Sequence, residues 1–377
     1  MPWRALSWVS FTALVNAGCS SDPPAPSGSC AALDAFVAMT SDASGSSLGA
    51  FGLDGCVTPP QSTVDLGRDP QLAVSRGRYF FIARDTDRIF ELDLTTGRAA
   101  RSFNVNDPDR AGVTNPQDLA VAADGALFVP RFNVPSVAVF EAAGARRANV
   151  DLAPYDDEDR NPNASAIQIV DVGGVEKAFV TLGRLDDRAN LASSRPSQML
   201  RIDVASAKPE GVIELVGRNP FNTMVAHEGT LWLAMPGTWD HIDEPNAGIE
   251  RFDPITNTSR LVVTEHDLGG SVTNIALARG CGAAIVADPT QVNATSVVTF
   301  DPNSGNVFAS ASTPLLASDG FDLLAIAWRG DVLLVGDKRS SPHGFPVHAF
   351  DRTGTCDLHQ RPDAIFLPEP PIAVRTH

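Results

Sequence analysis

Only a few stretches of the sequence carry residue types that could do chemistry. Residues 45–49 read Gly-Ser-Ser-Leu-Gly and match the GxSxG pattern of a serine nucleophile. That chemistry needs the serine on a sharp turn between a strand and a helix. Here the motif sits in a Ser/Gly-rich stretch predicted to be a loop, and no helical pattern follows it. We therefore expect no hydrolase nucleophile at this position.

An acidic stretch offers oxygen ligands for a hard cation. Asp157, Asp159 and Asn161 match the first three ligand positions of a calcium loop. The pattern fails at its sixth position, which is Pro162 instead of Gly, and at its twelfth, which is Gln168 instead of Glu. A solvated acidic loop is the expectation, and a looser calcium site at these three residues is the alternative.

Histidines are scattered along the chain. His241 has the richest surroundings, because Trp239, Asp243 and Glu244 lie in the same loop. A histidine, a carboxylate and an aromatic ring together suit a metal or a polar ligand. No HExxH, phosphate-binding or dinucleotide-binding motif is present, so the sequence predicts no metal site or cofactor.

Four cysteines remain once Cys19, which belongs to the leader discussed below, is set aside. Cys30, Cys56, Cys281 and Cys356 form no CxxC pair, which disfavours zinc and thioredoxin-like sites. An even number in an exported chain favours disulfides. Three connectivities are open from the sequence, and we favour Cys30–Cys56, the shortest loop, with Cys281–Cys356 as the remainder.

The elements that must position these residues follow a recurring hairpin pattern. Residues 115–129, NPQDLAVAADGALFV, place an apolar run on each side of an Asp-Gly turn. Related stretches occupy residues 69–83, 163–180, 219–234, 271–287 and 321–336. Self-similarity at spacings near 50 residues indicates a repeat architecture.

A second signature, an apolar residue followed by an acid, ends a short strand pattern in each unit. The acids are Asp54, Asp93, Glu141, Asp203, Asp253, Asp301 and Asp351, at intervals of 39, 48, 62, 50, 48 and 50 residues. An acid in this place can accept hydrogen bonds from the amides of the following turn. A structural role is therefore predicted for all seven.

Each unit predicts four antiparallel strands, a to d, of the kind that forms one blade of a β-propeller. The fold class is therefore all-β: a seven-bladed propeller of four-stranded antiparallel blades over residues 33–377. The first unit lacks strand a, and Ile372–Val374 form an isolated apolar run at the other end. We expect this C-terminal strand to pair with Phe36–Met39 and to close the ring.

Three segments resemble bacterial propellers of the YVTN/NHL type (YncE-like). They are NPQDLAVAADGALFVP, DRIFELDLTTGRAARSF and SVVTFDPNSGNVFAS, and the resemblance covers about residues 33–377. It implies the architecture and no particular activity, because propellers host many functions. The asparagine-rich b–c segments usual in that family are missing from several blades, and the third and fourth intervals are uneven.

In a propeller, the d–a and b–c loops share one face, around the entrance to the central channel. Here these loops include the long segments 152–163, 183–197, 236–247 and 337–346. Polar residues also begin several strands a, namely Gln71, Asp118, Asn222 and Asn274, with Asp322 close to that register. We expect a ligand or partner to contact these residues together with Trp239 and His241. A water-filled polar channel is the alternative.

Two function classes fit this arrangement. The favoured one is a binding or scaffold protein for an unknown protein partner or a small polar ligand. The alternative is a lactonase- or lyase-like propeller enzyme with a metal or an acid/base group at the channel mouth. The formal net charge of −16 disfavours nucleic acid, whose phosphates need Lys and Arg.

The N-terminus resembles an export leader, with Arg4 before the mostly apolar segment 5–15. LVNAGC resembles the lipobox of bacterial lipoproteins, although Asn16 stands where an aliphatic residue is usual. We predict a signal peptide at 1–18, a lipidated Cys19, a Ser/Pro-rich tether at 19–32 and the propeller at 33–377. Ser20 implies an outer-membrane anchor, the only predicted membrane contact. Ordinary cleavage after Ala17 is the alternative.

Overall fold

A computed structural model of the protein describes residues 30–41, 45–107, 112–156, 158–239, 241–290 and 294–377. The predicted leader, Cys19 and most of the tether lie outside the described residues. The described chain forms seven antiparallel sheets. We number these blades from the N-terminus and letter their strands a to d from the channel outward.

Blades 1 to 4 are regular four-stranded sheets. In blade 1, strands a to d are Pro371–Thr376, Ala35–Ser41, Gly45–Phe51 and Gln61–Ser62. In blade 2 they are Pro70–Ser75, Arg78–Ala83, Arg88–Leu92 and Ala99–Asn104, and in blade 3 Ala120–Val121, Leu127–Arg131, Ser136–Phe140 and Arg146–Asp151. In blade 4 they are Ala164–Val172, Val175–Leu182, Gln198–Asp203 and Lys208–Glu214.

Blade 5 has the same order, and the outer strand of blades 6 and 7 is broken into two short pieces. The strands of blade 5 are Phe221–His227, Thr230–Met235, Gly248–Asp253 and Thr258–Thr264. Those of blade 6 are Ser271–Ala278, Cys281–Ala287, Thr295–Phe300, Val307–Ala309 and Leu316–Ser318. Those of blade 7 are Leu323–Arg329, Val332–Asp337, Phe345–Thr353, Asp357–Gln360 and Ile365–Leu367. A short α-helix, Glu265–Leu268, and the 3₁₀ turns Val64–Leu66, Ala153–Tyr155 and Asp187–Ala189 lie between strands.

The apolar core is divided into seven clusters, one between each pair of neighbouring blades. Strand b of blade 2 shows why the sequence folds this way. Phe81 and Ala83 pack toward blade 1, whereas Phe80 and Ile82 pack toward blade 3. Because both faces of the blade are covered, the strand is continuously apolar instead of alternating. The predicted seven-bladed ring is confirmed.

Ring closure follows the prediction from the isolated C-terminal run. Strand a of blade 1 pairs with strand b of the same blade, with Val374 opposite Val37 and Ala373 opposite Ala38. Val374 and Val37 are fully buried in the cluster shared with blade 7. The first blade is therefore built from both ends of the described chain.

Most of the acids that follow strand c hold the next turn, as predicted. Asp93 accepts backbone amides of Thr95 and Thr96 at 2.9 and 2.8 Å, and Asp301 accepts that of Asn303 at 2.9 Å. Similar bonds are made by Asp54, Asp203 and Asp253. Asp351 instead binds Arg361 at 2.8 Å.

Both favoured disulfides are present. Cys30 is joined to Cys56, in the c–d turn of blade 1, and Cys281 to Cys356, which links the start of strand b of blade 6, at its a–b turn, to the c–d turn of blade 7. These turns all lie on the face opposite the d–a and b–c loops. We call the two sides the turn face and the loop face. In the described part of the chain, no helix has the length and apolar character to cross a membrane.

Candidate functional site

A belt of polar side chains crosses the central channel near the start of the strands a. The side-chain amide of Gln71, in blade 2, donates a 2.7 Å hydrogen bond to Oδ1 of Asn222, in blade 5. Gln71 Oε1 also accepts the backbone amide of Leu72 at 2.9 Å, and Asn222 Oδ1 accepts that of Thr223 at 3.0 Å. The structure therefore brings two of the predicted channel residues together.

The belt also joins blade 5 to blade 6 and blade 6 to blade 7. Asn222 Nδ2 donates to the carbonyl of Thr273 at 3.3 Å, and Asn274 Nδ2 donates to the carbonyl of Leu324 at 3.0 Å. These carbonyls lie at the start of strands a, where register shifts interrupt the pairing with strand b. The side-chain amides of Asn222 and Asn274 thus bind backbone carbonyls at places where the pairing of strands a and b is irregular. This structural role explains their positions.

Asp118 is the carboxylic acid of the belt and is almost fully buried. Its Oδ2 accepts the backbone amide of Ile167 at 3.1 Å, and its Oδ1 accepts that of Leu119 at 2.8 Å. Burial raises the pKa of Asp118 to about 7, against the opposing effects of these two amides and of the Arg375 charge. Asp118 therefore titrates near neutral pH.

Strand a of blade 5 is irregular near its start. The pairing register shifts between Phe221 and Val225, and Asn222 has a left-handed backbone with φ +63°. Asparagine adopts this conformation more readily than most residues. Thr223, the next residue, accepts a 2.7 Å hydrogen bond from Nη2 of Arg375 in blade 1. Two bonds across the channel therefore end on adjacent residues of blade 5.

Arg375 is a site residue that the sequence analysis missed. Its Nη1 donates to the carbonyl of Val374 at 2.9 Å. Burial lowers the pKa of Arg375, and the nearby Asp118 opposes that effect. The available signal was a single cation near the end of the closing strand, whose apolar run Ile372–Val374 indicated only ring closure.

A cavity of about 340 Å³ lies on the turn-face side of the belt. All seven blades contribute to its wall, mostly through the second halves of strands a. Its polar side chains are Asp118, Gln168, Thr223, Arg375 and Thr376. Ala73, Val225, Ile275, Ile326 and Trp328 are among its apolar residues. The Gln71–Asn222 bond spans the channel on the loop-face side of this cavity.

Asp322 lies outside the belt. It directly precedes strand a of blade 7, and its carboxylate accepts a hydrogen bond from the hydroxyl of Ser318. The belt residue of blade 6, Asn274, reaches Leu324 instead, two positions further along the chain. The structure therefore holds Asp322 in the loop before the strand.

Trp239 lies on the loop face, in the b–c loop of blade 5. Its ring meets that of Phe221 edge to face, with centroids 5.1 Å apart and planes at 88°. Phe221 directly precedes the belt residue Asn222, so this aromatic pair stands beside the channel mouth. Phe221 and Trp239 are 40% and 37% exposed. His241, in the same loop, has an exposed side chain, and it makes no hydrogen bond to a belt residue within the described chain.

Ion pairs connect the long loops of this face. Arg195, in the b–c loop of blade 4, binds Asp156, in the preceding d–a loop, at 2.9 Å. Arg218, which precedes blade 5, binds Glu244 in the Trp239 loop at 2.6 Å. Asp156 is almost fully buried, and Arg195 satisfies its charge. The loop face is therefore held in a defined shape.

The serine motif and the acidic stretch singled out in the sequence both take part in structural hydrogen bonds. Residues 45–49 lie in strand c of blade 1 and not in a loop as predicted, and Ser47 Oγ donates to Glu369 at 2.6 Å. Asp157 lies outside the described residues. Asp159 accepts the amides of Asn161 and Asp187 at 2.8 and 3.0 Å. Across the described ranges, no group of three or more His, Cys, Asp or Glu side chains is placed to hold a metal ion.

Comparison with known proteins gives the fold alone. No protein-family model and no curated protein matches the chain. A putative 6-phosphogluconolactonase from Bacteroides uniformis is 11% identical with a TM-score of 0.56, covering 91% of this chain and 98% of its own. Virginiamycin B lyase from Staphylococcus aureus is 13% identical with a TM-score of 0.51, covering 80% and 91%. The structure titled U3-55K is 13% identical with a TM-score of 0.52, covering 81% and 85%. The chain is thus similar in fold to propellers of different functions.

Proposed function

We propose that this propeller is a binding protein that recognises a protein partner through its loop face. The observation that carries the proposal is the exposed pair of Phe221 and Trp239 beside the channel mouth. Large aromatic rings are enriched at protein interfaces, where they bury much area at low entropic cost. The surrounding loops are already ordered by the ion pairs of Arg195 and Arg218, which lowers the cost of association.

The two disulfides are typical of proteins from oxidising compartments. We propose in addition that residues 1–18 are a leader and that a lipidated Cys19 anchors the protein in the outer membrane. The Cys30–Cys56 bond fixes the end of the tether at the turn face. The chain from Cys19 to Cys30 spans at most about 40 Å. This tether would direct the turn face toward the membrane and leave the loop face free for a partner.

A lactonase- or lyase-like activity at the channel mouth is the second candidate. It rests on Asp118, whose pKa of about 7 suits a general acid or base. Partner binding would depend on Trp239, whereas catalysis would depend on Asp118. Variants at the two positions therefore separate the candidates.

Site-specific photocrosslinking in cells tests the proposed function. A benzophenone amino acid replaces Trp239 on the loop face or, as the control, Ile255, which is 59% exposed in the c–d turn of the same blade. We expect a discrete crosslinked protein from position 239, absent from position 255 and lost when Phe221 is changed to Ser. Equal crosslinking from both positions would refute a partner site on the loop face.

A further inference from the structure

The cavity below the belt has the composition of a small-molecule site that is distinct from the loop face. Its volume of about 340 Å³ lies within the roughly 300–1,000 Å³ range of ligand pockets. Such pockets are mostly apolar, with a few polar groups that orient the ligand. Val225, Ile275, Ile326 and Trp328 supply an apolar wall here, and Arg375 and Thr223 are among its polar residues.

Trp328 contributes its aromatic ring to this wall, and its indole N–H is not free to bind a ligand. Its indole N–H donates to the carbonyl of Ala276 at 3.3 Å. Ile275 and Ile326 are almost fully buried, so the wall is continuous with the packed core, and the partly exposed Val225 and Trp328 supply its accessible surface. An apolar ligand body would therefore meet a preformed surface.

Arg375 is the cation of the cavity, and its donors are only partly used. The guanidinium carries five N–H groups and makes two hydrogen bonds, to Val374 O and Thr223 Oγ1. Within the described residues it forms no ion pair, and Asp118 acts on it only through its charge. The guanidinium is partly buried, and the N–H groups that it leaves unused can donate to an anion in the cavity.

We propose that this cavity binds a small molecule with an apolar body and one carboxylate, which enters from the turn face and pairs with Arg375. A planar carboxylate matches the guanidinium fork. A single anionic charge fits better than a phosphate dianion, because among the described residues Arg375 is the only cationic side chain that lines the cavity and the carboxyl of Asp118 is close by.

Calorimetric titration of the full-length protein with biphenyl-4-carboxylate and with its neutral carboxamide tests this site. We expect the carboxylate to bind at least tenfold more tightly than the carboxamide. Arg375→Gln should remove that preference, whereas Arg260→Gln, at an exposed arginine of blade 5, should leave it unchanged. Melting temperatures of both variants report whether the ring is intact.

A second variant keeps the test independent of the structural role of Arg375. Ala226 lines the cavity but is exposed near the a–b turn of blade 5, so Ala226→Trp should block entry without disturbing the core. We expect it to abolish carboxylate binding, and we expect Trp239→Ala to leave binding intact, which separates this site from the proposed partner surface. Equal affinity for acid and amide, binding unaffected by Ala226→Trp, or no binding at millimolar ligand would overturn the proposal.

Discussion

Gln71 donates a 2.7 Å hydrogen bond to Asn222, a residue 151 positions later in the chain and three blades away. The bond crosses the central channel, so it joins opposite sides of the ring and not neighbouring sheets. With the Arg375–Thr223 bond beside it, it separates the loop face from the cavity below. Opposite blades of this propeller are therefore bridged at this level of the channel by two hydrogen bonds.

Truncation of the belt should destabilise the ring. Gln71→Ala leaves the Leu72 amide without its side-chain acceptor and Asn222 without its donor. Each lost hydrogen bond costs about 0.5–1.5 kcal/mol, so we expect a clearly lower melting temperature. The control Lys208→Ala, at an exposed position of the outer strand of blade 4, should change stability by less than about 0.5 kcal/mol. Equal melting of the two variants would show that the cross-channel bond is dispensable.

Closure by the C-terminal strand can be tested with matched valine variants. Val374 is fully buried opposite Val37 in the inner strand of blade 1, whereas Val212 is 39% exposed in the outer strand of blade 4. Val374→Asp buries an unpaired charge and should prevent or strongly weaken folding. Val212→Asp should remain soluble with a nearly unchanged melting temperature. Comparable behaviour of the two proteins would argue against closure as the event that completes the ring.

The blades were predictable because their signals are local. Apolar runs around turns such as Asp124-Gly125, and acids such as Asp301 after strand c, lie within a few residues of the structure they produce. The long third interval is explained by blade 4, whose strands a and b, Ala164–Val172 and Val175–Leu182, are extended and followed by a long b–c loop. Closure was also predictable, because a missing strand at one end matched a surplus strand at the other.

The site was less predictable because its contacts join distant blades. The inward position of Gln71 and Asn222 follows from their place at the start of strand a, but their contact depends on the geometry of the whole ring. Asp322 was placed near the belt by counting residues. A register shift between Leu323 and Ala325, which counting cannot detect, brings Leu324 to that level instead. Arg375 became a site residue only through ring closure.

The acids after strand c should differ in their contribution to stability. Asp301 accepts the Asn303 amide at 2.9 Å and the Ser304 hydroxyl at 2.8 Å, and the Asn303 amide is the main cause of its lowered pKa. Asp301→Ala should cost roughly 1 kcal/mol. Glu141→Ala is the control, because within the described chain the Glu141 side chain makes only a 3.9 Å ion pair with Arg147.

The Asp301→Ala variant also tests how the stability of the protein depends on pH. A carboxylate with a depressed folded-state pKa stabilises the fold above its unfolded pKa of about 3.9, and that stabilisation is lost as the pH falls through the folded value. The difference in melting temperature between the wild-type protein and Asp301→Ala should therefore be present at pH 7 and shrink toward pH 3. A difference that is constant over this range would mean that the charge of Asp301 plays no part.

The opposite pH dependence is expected at Glu265, in the short helix before blade 6. Its side chain is fully buried, accepts the Val272 amide at 2.6 Å and contacts the Ser271 hydroxyl at 3.3 Å. Burial, with a contribution from the charge of Glu244, raises the pKa of Glu265 to about 8 despite these hydrogen bonds. The protonated form is therefore the one that the fold favours.

An acid with a raised folded-state pKa contributes its stability below the unfolded value, about 4.3 for glutamate, and that contribution is lost as the pH rises toward about 8. Glu265→Gln mimics the protonated side chain and retains an acceptor for the Val272 amide. We expect its melting temperature to exceed that of the wild-type protein by a few degrees at pH 8 and to match or fall below it at pH 5. Glu214→Gln, at an exposed glutamate of blade 4, should show no such crossover. If Glu265→Gln were less stable than the wild-type protein by the same margin at both pH values, Glu265 would be acting as a hydrogen-bond acceptor alone, and its titration would not limit the stability of the ring.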